Sequence, residues 1–246
     1  MALYALGDLH LGFQVNKSMD IFGKVWKHHE RKIEKFVTQI VKPEDTLVLT
    51  GDHSWGRKLP ECREDLAFIE KLPGRKILLR GNHDMFWDAK KTARLNEEYR
   101  GRLFFLQNNY AVYKDYALVG TKGFTFEGPF YLNRRGGIIG WDEEREHQAR
   151  KLIERETVRL RESFHQAEEA GYRKFIMFLH YPPTNILEET SPFTEIAQEY
   201  GASAVVYSHC HGENRFGDSI RGELHGIQYM LVSGDYLNFH PALVLD

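Results

Sequence analysis

The chain has 246 residues, 42% hydrophobic and 28% charged, so it holds enough apolar surface to offset the entropy of ordering, and a disordered chain is excluded. Thirty-three basic residues against 35 acidic ones leave a formal net charge of −2. That excludes a chain-wide cationic footprint for long nucleic-acid duplexes.

In chain order, short apolar runs alternate with helical patterns. Leu3 to Leu6 runs into Gly7-Asp8-Leu9-His10, and Thr46 to Thr50 into Gly51-Asp52-His53. Met19 to Val41 carries Ile21, Val25, Ile33, Phe36, Val37 and Ile40, an amphipathic helix in one or two pieces. Glu61 to Leu72 and Asp88 to Tyr99 are shorter helical candidates. Lys76 to Arg80, between them, runs into Gly81-Asn82-His83-Asp84. Further strands are expected at Leu103–Leu106, Tyr110–Tyr113, Tyr116–Gly120 and Ile227–Ser233. Thr121 to Gly140, with little periodicity, reads as a long loop, and Trp141 to Ala170 as a charged surface helix. Phe175 to Leu179 runs into His180, and Ala204 to Tyr207 into Ser208-His209-Cys210-His211. Between those two runs Ser191 is a plausible N-cap, with Pro192 in the first turn of a helix ending near Tyr200. Runs of four to six Leu, Val, Ile and Phe residues read as strands buried on both faces. Their alternation with helices implies an α/β layered fold. No repeat or linker interrupts residues 1–246, so a single domain is expected.

Cys62 and Cys210 are too few for a disulfide framework, which favours a reducing compartment. No apolar run approaches the length of a membrane span, and no secretory signal is visible. A cytoplasmic protein with no membrane partner is expected.

The polar residues after the strands carry the chemistry. Ligand sites of open α/β sheets lie at the carboxyl ends of strands, and five runs deliver Asp, Asn or His there. Imidazole, carboxylate and amide oxygens together suit divalent metals. Asp8 and His10, two apart on an extended chain, point to one side. His209 and His211 share that spacing, but the chain turns there, so each could serve a different ion. Asp52 has two oxygens and can bridge. Two dications balanced by Asp8, Asp52 and a bridging hydroxide leave about one positive charge, which favours a phosphate anion; such a pair generates the nucleophile and clamps the attacking and leaving oxygens.

Asp8-x-His10, Gly51-Asp52, Gly81-Asn82-His83-Asp84, His180 and Ser208-His209-x-His211 resemble the five blocks of the calcineurin-like metallophosphoesterases, in the family order. The resemblance implies a four-layer α/β sandwich of two mixed β-sheets flanked by α-helices. It implies that Asp8, His10, Asp52 and His211 hold one metal, and Asp52, Asn82, His180 and His209 the other. His83 would assist the leaving group, with Asp84 orienting its imidazole. The ions would be two divalent metals, Mn²⁺ first, with Fe, Zn, Ni, Co or Mg as alternatives. Substrates would be a phosphorylated small molecule, a nucleotide or a phosphoprotein, cleaved as a mono- or diester. Two other readings remain open: a nuclease of short or single-stranded substrates or a cyclic-nucleotide phosphodiesterase, and a non-catalytic metal-binding scaffold. Ser208 departs from the usual Gly, and His53 stands where an apolar residue is more usual. His53, Trp55 and Arg57 are candidate substrate contacts. Lys122, Phe124, Phe126, Phe130, Tyr131, Arg134 and Arg135 offer aromatic stacking and phosphate contacts in the long loop. His28, His29, His147, His165, His225 and His240 are expected to be structural or surface residues, and Cys210 to point into the core.

Overall fold

The computed structural model describes residues 1–124, 131–132, 138–140, 143–186 and 190–246. In chain order the strands and helices are β1 (Leu3–Leu6), α1 (His29–Ile40), β2 (Thr46–Leu49), α2 (Arg63–Lys71), β3 (Arg75–Leu79), α3 (Thr92–Glu98), β4 (Leu103–Leu106), β5 (Tyr110–Tyr113), β6 (Tyr116–Thr121), β7 (Tyr131–Leu132), β8 (Ile138–Gly140), α4 (Glu143–Glu169), β9 (Lys174–Leu179), α5 (Pro192–Glu199), β10 (Ala204–Tyr207), α6 (Glu213–Asp218), β11 (Gly222–Leu224), β12 (Ile227–Leu231) and β13 (Ala242–Leu245).

Two mixed sheets result. One has the order β13-β1-β2-β3-β4, the other β11-β12-β10-β9-β6-β5. In the first sheet only β13 is antiparallel, pairing β1 at the edge. In the second, β11 and β5 are the antiparallel edges.

Period-two alternation assigns each side chain to a layer. Leu3, Ala5, Val48, Ile77 and Leu79 face Leu118, Ile176, Phe178 and Val206 in the core between the sheets. On the other face of the first sheet, Leu47, Leu49 and Leu78 pack against Ile33 and Val37 of α1, Leu66 and Ile69 of α2 and Leu95 of α3. On the other face of the second, Phe175, Met177, Leu179 and Val205 pack against Ile153, Leu160 and Phe164 of α4 and Phe193 and Ile196 of α5. Three apolar interfaces therefore separate four layers, helix–sheet–sheet–helix, as expected.

Several expectations are refined. Met19 to Val41 resolves into 3₁₀ turns at Asp20–Phe22 and Lys24–Trp26, then α1. Gly23, at φ +116°, separates the two turns. The segment read as one long loop holds the antiparallel pair β7–β8. Phe126, Phe130, Arg134 and Arg135 lie outside the described residues. α4 buries more than its charged sequence suggests, taking Glu156 and Ser163 inside with the apolar stripe. Ser191 does cap α5, accepting from the amides of Phe193 and Thr194 at 3.2 Å each. Cys210 packs into the outer apolar layer of the second sheet. No helix among the described residues is long and apolar enough to cross a membrane.

Candidate metal centre

The ends of β1, β2 and β3 in one sheet meet the ends of β9 and β10 in the other. Backbone bonds fix the meeting. The amides of Asp8 and His10 donate to the carbonyls of Gly51 (3.0 Å) and Asp52 (2.8 Å), and Gly7 N–H donates to Val232 (2.7 Å). From the second sheet, the Ser208 hydroxyl donates to the Thr50 carbonyl at 3.0 Å. Two glycines are required by this approach. Gly51 has φ +109°, and a Cβ there would come within 2.5 Å of His180 Nδ1. A Cβ on Gly81 would run into the Asp52 carboxylate. Four residues at the rim have left-handed backbones: Asp8 (φ 57°), His10 (44°), Asp52 (54°) and His209 (71°). Each costs about 1–3 kcal/mol, strain that tends to gather at functional sites.

The side chains form two donor groups, Asp8–His10–His211 and Asp52–His180–His209, each with ligand atoms within 4.8 Å of one another. Asp52 Oδ2 joins them. It lies 3.7 Å from His10 Nε2 and 3.5 Å from His180 Nε2. Asn82 Oδ1 is 2.7 Å from His180 Nε2, which brings it into the second group. Asp8 Oδ1 is 3.7 Å from His211 Nε2.

Neighbouring groups aim the rings. His180 Nδ1 donates to the Thr50 carbonyl at 3.0 Å, and His211 Nδ1 donates to the Asp235 carboxylate at 2.9 Å. Each ring thereby keeps a proton on Nδ1 and turns Nε2 inward, and a bound cation would take the place of any proton on Nε2, leaving the tautomer that ligates a metal. Asp235 also accepts from the Gly212 amide at 3.2 Å.

Burial sets the electrostatics. It lifts the Asp8 carboxyl to about 6, and burial followed by the nearby Asp84 and Asp8 charges lifts Asp52 well above the usual range. Burial and the neighbouring imidazoles hold His10 and His180 well below 6.5, and His209 at about 3. His211 is lifted to about 9, because Asp8 and Asp235 outweigh its burial. Asp8 Oδ1 and His10 Nδ1 are buried without a hydrogen-bond partner. Buried carboxylates beside inward-facing neutral imidazoles cost free energy unless a cation compensates them. The mixed N and O donors fit divalent ions of the Mn, Fe or Zn kind.

His83 stands at the open side, its Nε2 3.9 Å from Asp52 Oδ2. Burial, then the Lys17 ammonium, push its pKa below the usual value. Trp55 does reach the site. Its ring lies 4.7 Å from that of His10 and 4.3 Å from that of His83, and Lys17 Nζ sits 2.9 Å above it. Beside His10 opens a cleft of about 250 Å³ lined by Lys17, Met19, His28 and His29 among others.

Other residues stand elsewhere than the sequence suggests. His53 is fully buried, and its Nε2 donates to the Leu79 carbonyl at 2.9 Å, so it lies behind the site rather than on its open face. Arg57 is exposed. Its amide donates to Glu61 at 2.8 Å, and among the described residues no contact ties its side chain to either donor group. Among the described residues no hydrogen bond or ion pair joins Asp84 to the His83 ring. Its carboxylate accepts the amides of Gly81 (2.7 Å), Asp52 (2.9 Å) and His53 (2.8 Å), and so ties the β2 loop to the β3 loop. Sequence reasoning missed Asp235, although it follows the β12 run just as the other site residues follow theirs. It also missed Lys17 and Tyr181, whose ring lies 4.2 Å from that of His209.

The profile of the calcineurin-like phosphoesterases matches residues 1–213. The chain belongs to the calcineurin-like phosphoesterase family. Among curated proteins none matches the sequence. Two solved structures share the fold at low identity. A phosphopantetheinyl hydrolase from Mycobacterium tuberculosis aligns with TM-score 0.56 and 14% identity, over 99% of this chain and 95% of its own. A protein of unknown function from Aquifex aeolicus aligns with TM-score 0.51 and 17% identity, over 98% and 95%. These likenesses show a shared fold.

Proposed function

We propose that this calcineurin-like phosphoesterase hydrolyses phosphate esters at a pair of divalent cations. Asp8, His10, Asp52 and His211 would hold one, and Asp52, Asn82, His180 and His209 the other. N and O donors of this kind accept Mn, Fe and Zn, and Mn²⁺ is the ion chosen for the first test. Bound there, two cations supply a nucleophile at neutral pH and stabilise the charge of the transferring phosphoryl group. The observation that carries this reading is Asp52 Oδ2, a single oxygen within 4 Å of a histidine from each donor group.

The chain's own groups do the rest. Asp52 would be shared by the two cations, and Asp8 would hold the first. Asp235 and the Thr50 carbonyl keep the His211 and His180 lone pairs inward. His83, on the open side, presents an imidazole proton to the oxygen of the departing alcohol. Trp55 holds the His10 and His83 rings in place, and the Lys17 ammonium above it faces an incoming anion. Asp84 keeps Asp52 and Asn82 in register through the loops that carry them.

The test is turnover of p-nitrophenyl phosphate and its bis ester by Mn²⁺-loaded protein. Chelator-sensitive hydrolysis, lost in Asp52→Asn, is expected. Equal, metal-independent rates for the wild type and the variant would refute the reading.

A further inference from the structure

Lys122 and Arg80 adjoin the second donor group along the chain, and Arg155 and Arg159 of α4 crowd Lys122 around Glu156, whose other oxygen holds Thr121. Lys122 follows β6, and its carbonyl accepts the amides of His180 (3.2 Å) and Tyr181 (3.0 Å), so it adjoins His180 in the sheet. Its ammonium stands 5.2 Å from the centroid of the Tyr181 ring and 5.8 Å from that of Phe124. The Tyr181 ring packs against His209 at 4.2 Å. One aromatic ring, Tyr181, thus neighbours both the Lys122 ammonium and His209. Arg80 ends the β3 run two residues before Asn82, and its buried Nε has no hydrogen-bond partner. Arg155 and Arg159 come from α4 and contact Glu156 at 3.3 Å and 2.6 Å.

The carboxylates in reach are already engaged. Glu156 is fully buried, and its second oxygen accepts from the Thr121 hydroxyl at 2.7 Å. Asp84 is held by backbone amides, and Asp88 pairs with Lys91 at 3.1 Å. Lys122 feels Glu156 but also Arg80, Arg155 and Arg159. Among the described residues neither Lys122 nor Arg80 makes an ion pair of its own. The Lys122 ammonium lies near the Tyr181 and Phe124 rings and is partly shielded from water. Desolvating an ammonium is costly unless an anion or a set of dipoles replaces the water, and two aromatic faces offset only part of that cost. Guanidinium groups are suited to planar or tetrahedral oxyanions through paired hydrogen bonds.

We propose that Lys122, Arg80 and Arg159 form an anion subsite beside the hydrolytic centre, which receives a second anionic group of the substrate, phosphate or carboxylate, outside the ester that is cleaved. The inference rests on the hydrolytic reading above and narrows its substrates to phosphate esters with two anionic groups. Esters of neutral alcohols leave the subsite unused and bind less well.

The experiment is calorimetric titration of Mn²⁺-loaded protein with non-hydrolysable phosphonates. Butylphosphonate carries one anionic group. ω-Phosphonocarboxylates and α,ω-bisphosphonates of graded chain length carry two. The readout is the ratio of their affinities. In the wild type the second group is expected to tighten binding at least tenfold at its best chain length, and the larger gain, carboxylate or phosphonate, identifies the group. The gain is expected to fall below threefold in Lys122→Met and in Arg159→Gln. Neither substitution removes a donor residue, and thermal unfolding of both variants checks that they fold. Equal affinity at every chain length, with butylphosphonate still bound, would overturn the subsite and leave the hydrolytic reading standing. A tenfold gain retained in both variants would overturn the assignment to these residues. No phosphonate binding at all would overturn both.

Discussion

Asp84 makes the clearest demand on the structure. The carboxylate is fully buried and takes amide hydrogens from Gly81, Asp52 and His53 at 2.7–2.9 Å. Asp84→Ala removes the acceptor and strands these three donors, and a fourth, the Ser54 amide at 3.4 Å, where water cannot reach them. A buried donor left unsatisfied costs about 1–3 kcal/mol. The four share one partner and the Ser54 contact is long, so their costs do not add in full, and a total of about 4 kcal/mol is expected. For a chain of this length each kcal/mol lowers Tm by about 2–4 °C, so a fall on the order of 10 °C is expected. The assay is thermal unfolding in excess chelator, which separates the loop contacts from any loss of metal. Asp84→Asn, which keeps an acceptor oxygen, should lose about half as much. A residue that served only to orient His83 would leave chelated stability untouched and alter turnover alone. A Tm change of less than about 3 °C in Asp84→Ala would refute the role in loop tethering.

Two further outcomes follow from side-chain contacts. Asp235→Ala frees His211 Nδ1, and loss of such a partner typically weakens metal binding about 10- to 100-fold; competition against a chromogenic chelator measures it, and unchanged affinity would contradict the tautomer assignment. The amides of Ala2 (2.7 Å) and Lys42 (2.9 Å) donate to Asp45 and hold its carboxyl below the usual range. A depressed folded pKa stabilises the protein above the unfolded value, and that stabilisation is lost as pH falls through the folded one. Asp45→Asn should therefore be less stable than the wild type near pH 7, by about 1–3 kcal/mol, and the gap should close in acid below the ordinary carboxyl pKa. Urea titrations at both pH values test this, and a gap independent of pH would count against it.

Much of this was legible because strand ends are marked in sequence. An apolar run stops, and Asp8, Asp52, Asn82, His180 and His209 begin within one to three residues. Parallel strands put all such stops of one sheet at one edge, so convergence within each sheet could be read from the runs alone. The direction of a side chain just past a strand could not. His53 and Asp52 are neighbours, yet one turns toward Leu79 and the other toward the imidazoles. That divergence comes from a left-handed residue at position 52, which strand periodicity does not foresee. Asp84 was misread because the sequence shows its proximity to His83, whereas its partners lie about 30 residues upstream. The antiparallel edge strands β11 and β13 escaped notice because half-exposed runs of three or four residues carry little signal. Lys122 was readable as a phosphate contact and Arg80 only as the end of a strand run, and the α4 arginines that crowd Lys122 could not be foreseen from either.

The central claim is that Asp52 joins two cation sites, and metal stoichiometry of purified protein tests it most directly. Wild-type protein reconstituted with Mn²⁺ and measured by elemental mass spectrometry should hold two ions per chain, with anomalous scattering on both sides of Asp52 Oδ2. Asp52→Asn should lose at least one of them while keeping the fold. A wild-type chain that binds one ion or none under saturating metal, or an Asp52→Asn variant that retains both with unchanged affinity, would contradict the account.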